Sequence, residues 1–463
     1  MKQFHKWLLG LIVVSSLARL IALETSPPGF YIDEAGDAVN AICVAQTGAG
    51  ELGDRWPLFF PAFDRHIGGF FTAPVIYPMA LWSSILGTSP AVFRSFVAVS
   101  SIFMIYLLFL LGTYLWDFEA GLFIALTAAL SPWLFQFSRI GWDPAIACFL
   151  LVAAVYVFVR FEKMAGWISA GFLLALAAYA YAPMRAQIAL FLPALFYWQY
   201  RRGQLDKRAI LFFLGSAFIF ALPLIKATLS GELQGRFQML SVFSPYFLSN
   251  QYHSTSRVYG ILAFLKNIAA HFSPGYLFLS GDRNLRHSTQ DVGILGWVDD
   301  LAIVLFIVEC IRTRLFKDWK MQGTLLLAFW GFVTGIVAAS LTWEGIPHAL
   351  RSFGGAPFLV LATGLMLRWT VNSSAIHRGL LVCTAIAFMA YFGWAYFVDY
   401  PQKSALWFDE PVVASARQAA RSHDWLTFMR ENRNYNRTGL RYELLSTGHS
   451  TCQETLELLP PPR

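Results

Sequence analysis

The feature that most constrains this chain is a series of apolar runs, each about 17 to 22 residues long, that recurs along its length. A helix of about 20 apolar residues crosses the roughly 30 Å hydrocarbon core of a bilayer, whereas a membrane-spanning strand is shorter and alternates in polarity. Only 14% of the 463 residues are charged, and the mean hydropathy is +0.52. We therefore predict an all-α polytopic membrane bundle.

Apolar runs bounded by charges, Pro or Gly predict about eleven transmembrane helices. They lie near 7–23, 95–115, 119–137, 144–160, 165–182, 186–200, 209–225, 299–316, 322–342, 352–369 and 378–397. The first run has the basic start and apolar middle of a signal peptide, but Arg19 interrupts it and the small-residue cleavage pattern is poor. We therefore expect an uncleaved first span.

One more apolar run, 68–87, is long enough to cross but contains two prolines, and it decides the topology. If it spans, the two most basic short loops must be translocated; if it does not, the basic loops lie in the cytoplasm with the N-terminus. We therefore predict membrane-parallel helix in a first external loop, 24–93. A second large external loop, 226–298, completes a membrane domain of residues 1–397, and residues 398–463 form an extracytoplasmic tail. The predicted location is the plasma (inner) membrane.

The net charge of +7 does not indicate nucleic-acid binding, because the basic residues are scattered between apolar runs and form no continuous stripe. Five cysteines are too few for a disulfide framework. Cys43 and Cys452 would pair only if both face an oxidising compartment, and the sequence leaves that open.

The segment "GFYIDEAGDAVNAI", residues 29–42, places carboxylates directly after the first span. One interpretation is an N-cap, with Asp33 preceding an amphipathic helix that carries acids in its first turn. The other is catalysis, since a carboxylate held at a helix start on the water side of the membrane can act as a base. Asp37 is expected to be a plain helix-face residue.

Arginines stand in short loops that should be translocated, where the positive-inside rule disfavours them: Arg139, Arg185 and Arg351. Pairing of Arg139 with Asp143, or snorkelling to lipid headgroups, explains them without a substrate. Binding of a phosphate near the bilayer surface is the functional alternative, because the guanidinium is bidentate and permanently charged.

Several short motifs follow one another in order: "YIDEA", "FDRHIGGFFTAPVIYPMALWSSILG", "VFRS", "FSRIGWDPA", "SPGYLFLSGDRNLRHST" and "EGIPHALRSFGGAP". This arrangement resembles the lipid-carrier-dependent glycosyltransferases of the GT-C fold, with protein O-mannosyltransferases and lipid A aminoarabinose transferases as the nearer families. There an Asp-Glu pair opens the first external loop, a His-bearing segment precedes a membrane-parallel helix, and an Arg starts the next span. Asp33, Glu34, His66 and Arg94 stand at the matching places, and the resemblance covers most of 7–370.

The resemblance implies inverting transfer of a sugar from a polyprenyl-phosphate-linked donor to an acceptor hydroxyl on a lipid, polysaccharide or protein of the cell envelope. The expected catalytic residues are Asp33 as base, Glu34 and Asp143. For Asp143, a site acid facing Asp33 and an N-cap of the following span are equally compatible with the sequence. The expected contacts to donor phosphate or substrate are His66, Arg94, Arg139, Arg185, Arg283, Arg286, His287, His348 and Arg351.

The segment "GDRNLRHST", 281–289, is either an ordered surface loop or, as the resemblance implies, a source of donor contacts. Some related enzymes bind a divalent metal, and its candidate ligands here are Asp33, His66 and Asp143, although their spacing is not diagnostic. Membrane lipids are expected partners, and the acceptor is not encoded readably. The alternative function is a transporter or flippase of lipid-linked substrates. Such proteins place ionisable groups near the membrane midplane and often show paired repeats, whereas here the charges gather at one face.

Overall fold

The computed structural model describes residues 2–62, 69–313, 319–371, 374–422, 424, 425, 428 and 436–459. Helices account for most of it. Their bounds are α1 Lys2–Leu17, α2 Ile32–Thr47, α3 Ala73–Leu86, α4 Pro90–Leu115, α5 Phe118–Leu130, α6 Pro132–Phe137, α7 Asp143–Arg160, α8 Met164–Ala180, α9 Ala182–Arg201, α10 Lys207–Leu229, α11 Gly235–Leu240, α12 Pro245–Tyr252, α13 Arg257–His271, α14 Trp297–Thr313, α15 Trp319–Ser340, α16 Ala356–Thr370, α17 Ala375–Trp394, α18 Tyr400–Ser404, α19 Glu410–Ser422, α20 Asn436–Ser446 and α21 Cys452–Leu458.

Helices occupy all eleven segments predicted to span the membrane. Within the described part of the chain, five helical stretches are both long and apolar enough to cross a bilayer: Pro90–Leu115, Asp143–Arg160, Lys207–Leu229, Met321–Ser340 and Ala375–Phe408. The chain is therefore an integral membrane protein, and the total of eleven spans stays a prediction.

The bundle packs through small residues and one continuous apolar core. Helix α8 lies between α7 and α10, α4 packs on α5 and α7, and α16 packs on α5, α14 and α15. A Cβ on Gly171 of α8 would lie 2.2 Å from the carbonyl oxygen of Phe213 in α10. Such close approach between apolar helices supplies the dispersion contacts that hold a bundle together where lipid is as apolar as the side chains.

The segment 24–93, called the first external loop after its predicted side, contains a short helix in place of a span. Helix α3 has 14 residues, which at 1.5 Å per residue is about 21 Å, too short for the hydrocarbon core. An antiparallel hairpin of β1 Phe59–Pro61 and β2 Phe70–Thr72 precedes it. The all-α prediction did not include this hairpin, which is too short for a period-2 pattern to be read.

The tail packs back onto the first external loop. Helix α20 lies against α2, and helices α19 and α20 share a small apolar cluster of their own. Cys452, at the start of α21, forms a disulfide with Cys43 of α2, with Cα atoms 5.4 Å apart. Arg441 of α20 pairs with Glu51, Nη1 to Oε2 3.2 Å, and both side chains are buried. The pairing that the sequence left open is therefore present.

Candidate active site

A cavity of about 510 Å³ opens where the first external loop, the late loop 282–287 and the segment 342–351 meet. It lies within the size range of small-molecule sites, about 300–1,000 Å³. Helices α2, α7, α9 and α11 and the β1–β2 hairpin contribute the rest of its wall. A more open groove of about 590 Å³ runs beside residues 20–25, and Glu24 is the one ionisable residue in its lining. The first cavity therefore carries the chemistry.

Three carboxylates line this cavity. Asp33 and Asp37 lie one turn apart on α2, and Asp143 is the first residue of α7; all three line the wall. Burial raises the pKa of Asp33, and the nearby Arg236 and Arg286 partly offset that rise. The N-cap of α2 is Tyr31, so the N-cap interpretation of Asp33 is wrong. Trp142 holds the corresponding position of α7.

Asp37 was expected to be a plain helix-face residue, and its position in the cavity corrects that expectation. Its side chain is 2% exposed, and Oδ1 has no hydrogen-bond partner among the described residues. Burial, followed by repulsion from Asp143 and Asp33, raises the pKa of Asp37 well above its ordinary value. A buried carboxylate without partners is costly, so this oxygen is suited to a proton or a cation.

Glu34 points away from the cavity and anchors α2. Its carboxylate accepts two bonds of 2.8 Å from the guanidinium of Arg94, and the pair is fully buried. Oε1 also accepts the backbone N–H of Gly141 at 2.7 Å. Glu34 therefore ties α2 to α4 and to the segment that leads into α7, which sets Asp33 opposite Asp143. In the structure Glu34 has a positioning role in place of the catalytic role predicted for it.

Arg94 and Arg139, predicted to bind the donor phosphate, do not line the cavity. Beyond Glu34, Arg94 donates to the carbonyls of residues 23, 27 and 29 at 2.7–3.0 Å. Arg139 donates to the carbonyls of residues 18, 19, 21, 22 and 26, and makes no pair with Asp143. Both guanidiniums hold the segment between α1 and α2, so scaffold contacts replace the phosphate contacts expected of them.

Basic residues line the same cavity. Five of them were predicted from the sequence and one is a further arginine of α11: Arg185, Arg286, His287, His348, Arg351 and Arg236. Arg236 lies in the large external loop, where no motif marked it. Arg283 is exposed and is not part of the lining. His66 falls outside the described residues.

The arginines in this lining are held in place while still facing the cavity. Arg286 stacks on Tyr31, with Cζ 4.1 Å from the ring centroid, and its Nη1 donates to the carbonyl of Trp407. Arg351 forms an ion pair with Glu344, Nη2 to Oε2 3.0 Å. An arginine oriented by stacking or pairing loses little freedom when it meets an anion.

Aromatic rings line the cavity beside the charged residues. The rings of Phe59 and Tyr179 stack with centroids 5.6 Å apart, and Tyr31 meets Trp142 edge-on at 5.7 Å. All four line the cavity. Flat apolar surfaces with polar edges suit a ring that is itself apolar on one face, as a pyranose is. The sequence offered no signal for this wall, because the hairpin and α8 meet only in the folded chain.

The late loop supplies His287, which the sequence indicated, and Asp282, which it did not; His348 comes from the segment 342–351. Asp282 accepts from His287 Nδ1 at 2.8 Å and from the backbone N–H of Ala349, also at 2.8 Å. Burial, then the positive charge of Arg351, lowers the pKa of His348 well below its ordinary value, so this imidazole is neutral. The loop 281–289 is therefore ordered and contributes to the cavity lining, and the donor contacts expected of it stay a prediction.

Comparison with known proteins places the fold. The Archaeoglobus fulgidus oligosaccharyltransferase, solved in complex with Zn and sulfate, superposes with a TM-score of 0.53 and 12% identity over 89% of this chain and 55% of that one. ArnT from Cupriavidus metallidurans, bound to undecaprenyl phosphate, gives a TM-score of 0.48 and 11% identity over 98% and 77%. No protein family profile and no curated protein matches the sequence.

The fold is therefore that of the GT-C glycosyltransferases, which confirms the fold resemblance inferred from the motifs. The chain spans about half the length of the archaeal oligosaccharyltransferase that it matches, 55%. That likeness establishes the fold, and the reaction has to be argued from the cavity itself.

Proposed function

We propose that this protein transfers a glycosyl group from a polyprenyl-phosphate-linked donor to the hydroxyl of an acceptor at the extracytoplasmic face of the membrane. The observation that carries the proposal is that carboxylates, arginines and aromatic rings line one cavity together, in a GT-C fold. The donor phosphate lies against the arginines, the sugar against the aromatic rings, and the acceptor hydroxyl against the carboxylates.

Asp33 is the general base. It keeps partial exposure to the cavity, and Arg236 and Arg286 favour its ionised form, whereas Asp37 is enclosed and repelled by its neighbours. As the acceptor oxygen forms a bond to the anomeric carbon, its proton passes to Asp33 and the bond from that carbon to the phosphate oxygen breaks. One displacement inverts the anomeric configuration. The departing phosphate gains charge, which Arg236, Arg286 and Arg351 stabilise.

A divalent cation fits the three carboxylates. Asp33, Asp37 and Asp143 offer oxygen ligands, and the unpartnered Oδ1 of Asp37 is the kind of atom that a cation satisfies. A cation bound there would supply positive charge next to the acceptor hydroxyl. His66 stays a predicted ligand, because it lies outside the described residues.

The test is a comparison of Asp33→Asn with Asp54→Asn, an exposed aspartate of the same loop outside the cavity. Cells lacking the chain are complemented with each variant, and sugars on glycolipid, surface polysaccharide and exported protein are measured by mass spectrometry. Loss of a base costs about 10²–10⁴-fold in rate, so Asp33→Asn should leave the sugar missing while Asp54→Asn restores it.

Restoration of the sugar by Asp33→Asn would remove Asp33 from its role. If instead the sugar is absent because donor collects on the cytoplasmic face in cells lacking the chain, the protein is a flippase and the transfer proposal fails.

A further inference from the structure

The cavity holds a second cluster of ligand-type side chains, separate from the three aspartates. Asp282, His287 and His348 each present one ligand atom, and these atoms lie within 4.8 Å of one another. All three are buried, with exposed fractions of 2, 5 and 7%. They are the one such group of His, Cys, Asp or Glu within the part of the chain that the structure describes.

We propose that Asp282, His287 and His348 bind a transition-metal dication of the Zn²⁺ type. Two imidazoles and one carboxylate form a common zinc ligand set, and imidazole distinguishes such a site from the oxygen-only set of the three aspartates. The ring centroids of His287 and His348 are 4.7 Å apart, so both rings already face one small volume. Neighbouring ligand atoms around tetrahedral zinc are about 3.3 Å apart, from bonds of about 2.0–2.1 Å. Closing the cluster therefore requires the three ligand atoms to move closer from separations of up to 4.8 Å.

The backbone around the cluster is held from several directions. Asp282 accepts the backbone N–H groups of Asn284 and Ala349 at 2.8 Å each. The N–H of His348 donates to His271 Nε2 at 3.0 Å. Metal ligands are ordinarily oriented by such outer contacts. The contact of Asp282 with Ala349 also joins the late loop to the segment that carries His348, so one ion would fasten two loops that are far apart in sequence.

The positive charge of Arg351 near the cluster is balanced in part by its ion pair with Glu344. Arg286 is held in place by stacking on Tyr31. Asp282 brings one negative charge to the cluster itself. In the absence of metal, Asp282 Oδ2 and His287 Nδ1 share a hydrogen bond of 2.8 Å, and zinc would take the place of that proton.

All three ligands line the cavity, so a fourth coordination position faces it. Resting on the proposed function, we assign that position to a phosphate oxygen of the donor. The ion then binds the donor phosphate together with the arginines, while Asp33, Asp37 and Asp143 meet the acceptor.

The experiment uses the full-length protein purified in detergent on an affinity tag without histidine, stripped of metal and then dialysed against buffered Zn²⁺. Elemental analysis should find one tightly bound zinc per chain, with affinity at least tenfold lower in His287→Asn and His348→Asn. The matched control is His253→Asn, an exposed histidine in the left-handed region, which Asn tolerates. Asp143→Asn should also retain the zinc, because the carboxylate of Asp143 is not one of the three proposed zinc ligands.

Cobalt substitution of the unaltered protein keeps the test decisive if a histidine variant fails to fold. Visible absorption of tetrahedral Co²⁺ is expected, and its absence would overturn the proposal. Zinc bound equally by the two cluster variants and the control would also overturn it, leaving Asp282 and His287 as a proton-sharing pair. Transfer activity without zinc would refute this inference alone, whereas zinc binding without transfer would refute the proposed function alone.

Discussion

Replacement of Arg94 by Gln separates a scaffold residue from a substrate ligand. In the structure the guanidinium makes two charge-assisted bonds to Glu34 and three bonds to backbone carbonyls, all in the interior. Arg94→Gln leaves the carboxylate of Glu34 buried with the N–H groups of Gly141 and Tyr31 as its remaining donors. The variant is expected to destabilise the whole junction between α1, α2 and α4.

The expected cost is about 3–5 kcal/mol, the usual loss when one partner of a buried ion pair is removed. No discount for solvent applies, since both side chains are 0% exposed. Arg94→Lys keeps the charge but loses the planar fork, so it should fall between the native protein and Arg94→Gln. In the double variant with Glu34→Gln, the second substitution removes the stranded charge, and its cost should be smaller than the sum of the two single changes.

Thermal unfolding in detergent, followed by tryptophan fluorescence, measures these differences, with Arg283→Gln as the matched exposed-arginine control. Arg94→Gln should lower the melting temperature by several degrees, while Arg283→Gln leaves it unchanged. The reasoning would be refuted if Arg94→Gln melted like the native protein yet lost transfer, because Arg94 would then contact the donor as the sequence suggested.

Three further outcomes are expected. Denatured, unreduced protein should take up three maleimide labels and reduced protein five, because Cys43 and Cys452 are joined and three cysteines are free; five labels without reductant would contradict the disulfide. Glu51→Gln should lower thermal stability by about 3–5 kcal/mol, since it removes the charged partner of the buried Arg441, and an unchanged melting curve would show that the tail is not held there. Transfer should fall as the pH falls through the raised pKa of Asp33, because a protonated carboxyl cannot accept the acceptor's proton. Arg236→Gln should move that acidic limb to higher pH, as Arg236 lowers the pKa; a limb that does not move would argue against Asp33 as base.

Much of the candidate site could be predicted because local sequence marks it. Asp33 follows a span, and His287 lies in a loop too polar for a simple connector. The errors concern residues whose surroundings are made by distant segments. Arg139 looked like a phosphate ligand because translocated arginines are rare, and Arg94 because of the family resemblance. Buried backbone carbonyls at the end of α1 need donors just as much. Asp37 looked like a surface acid because helical periodicity does not tell which neighbour covers a face.

The sequence by itself determined the membrane class and the helical segments, because apolar run length acts locally on each span. The side of the membrane on which the charged loops lie stays a prediction. Tertiary structure alone decided which charges share a cavity. Glu34 and Arg94, separated by 60 residues, neutralise each other as a buried ion pair. Asp282 lies near His348 only because two distant loops converge. Burial and proximity set what an ionisable group can do, and neither is a property of the residue's own neighbourhood in sequence.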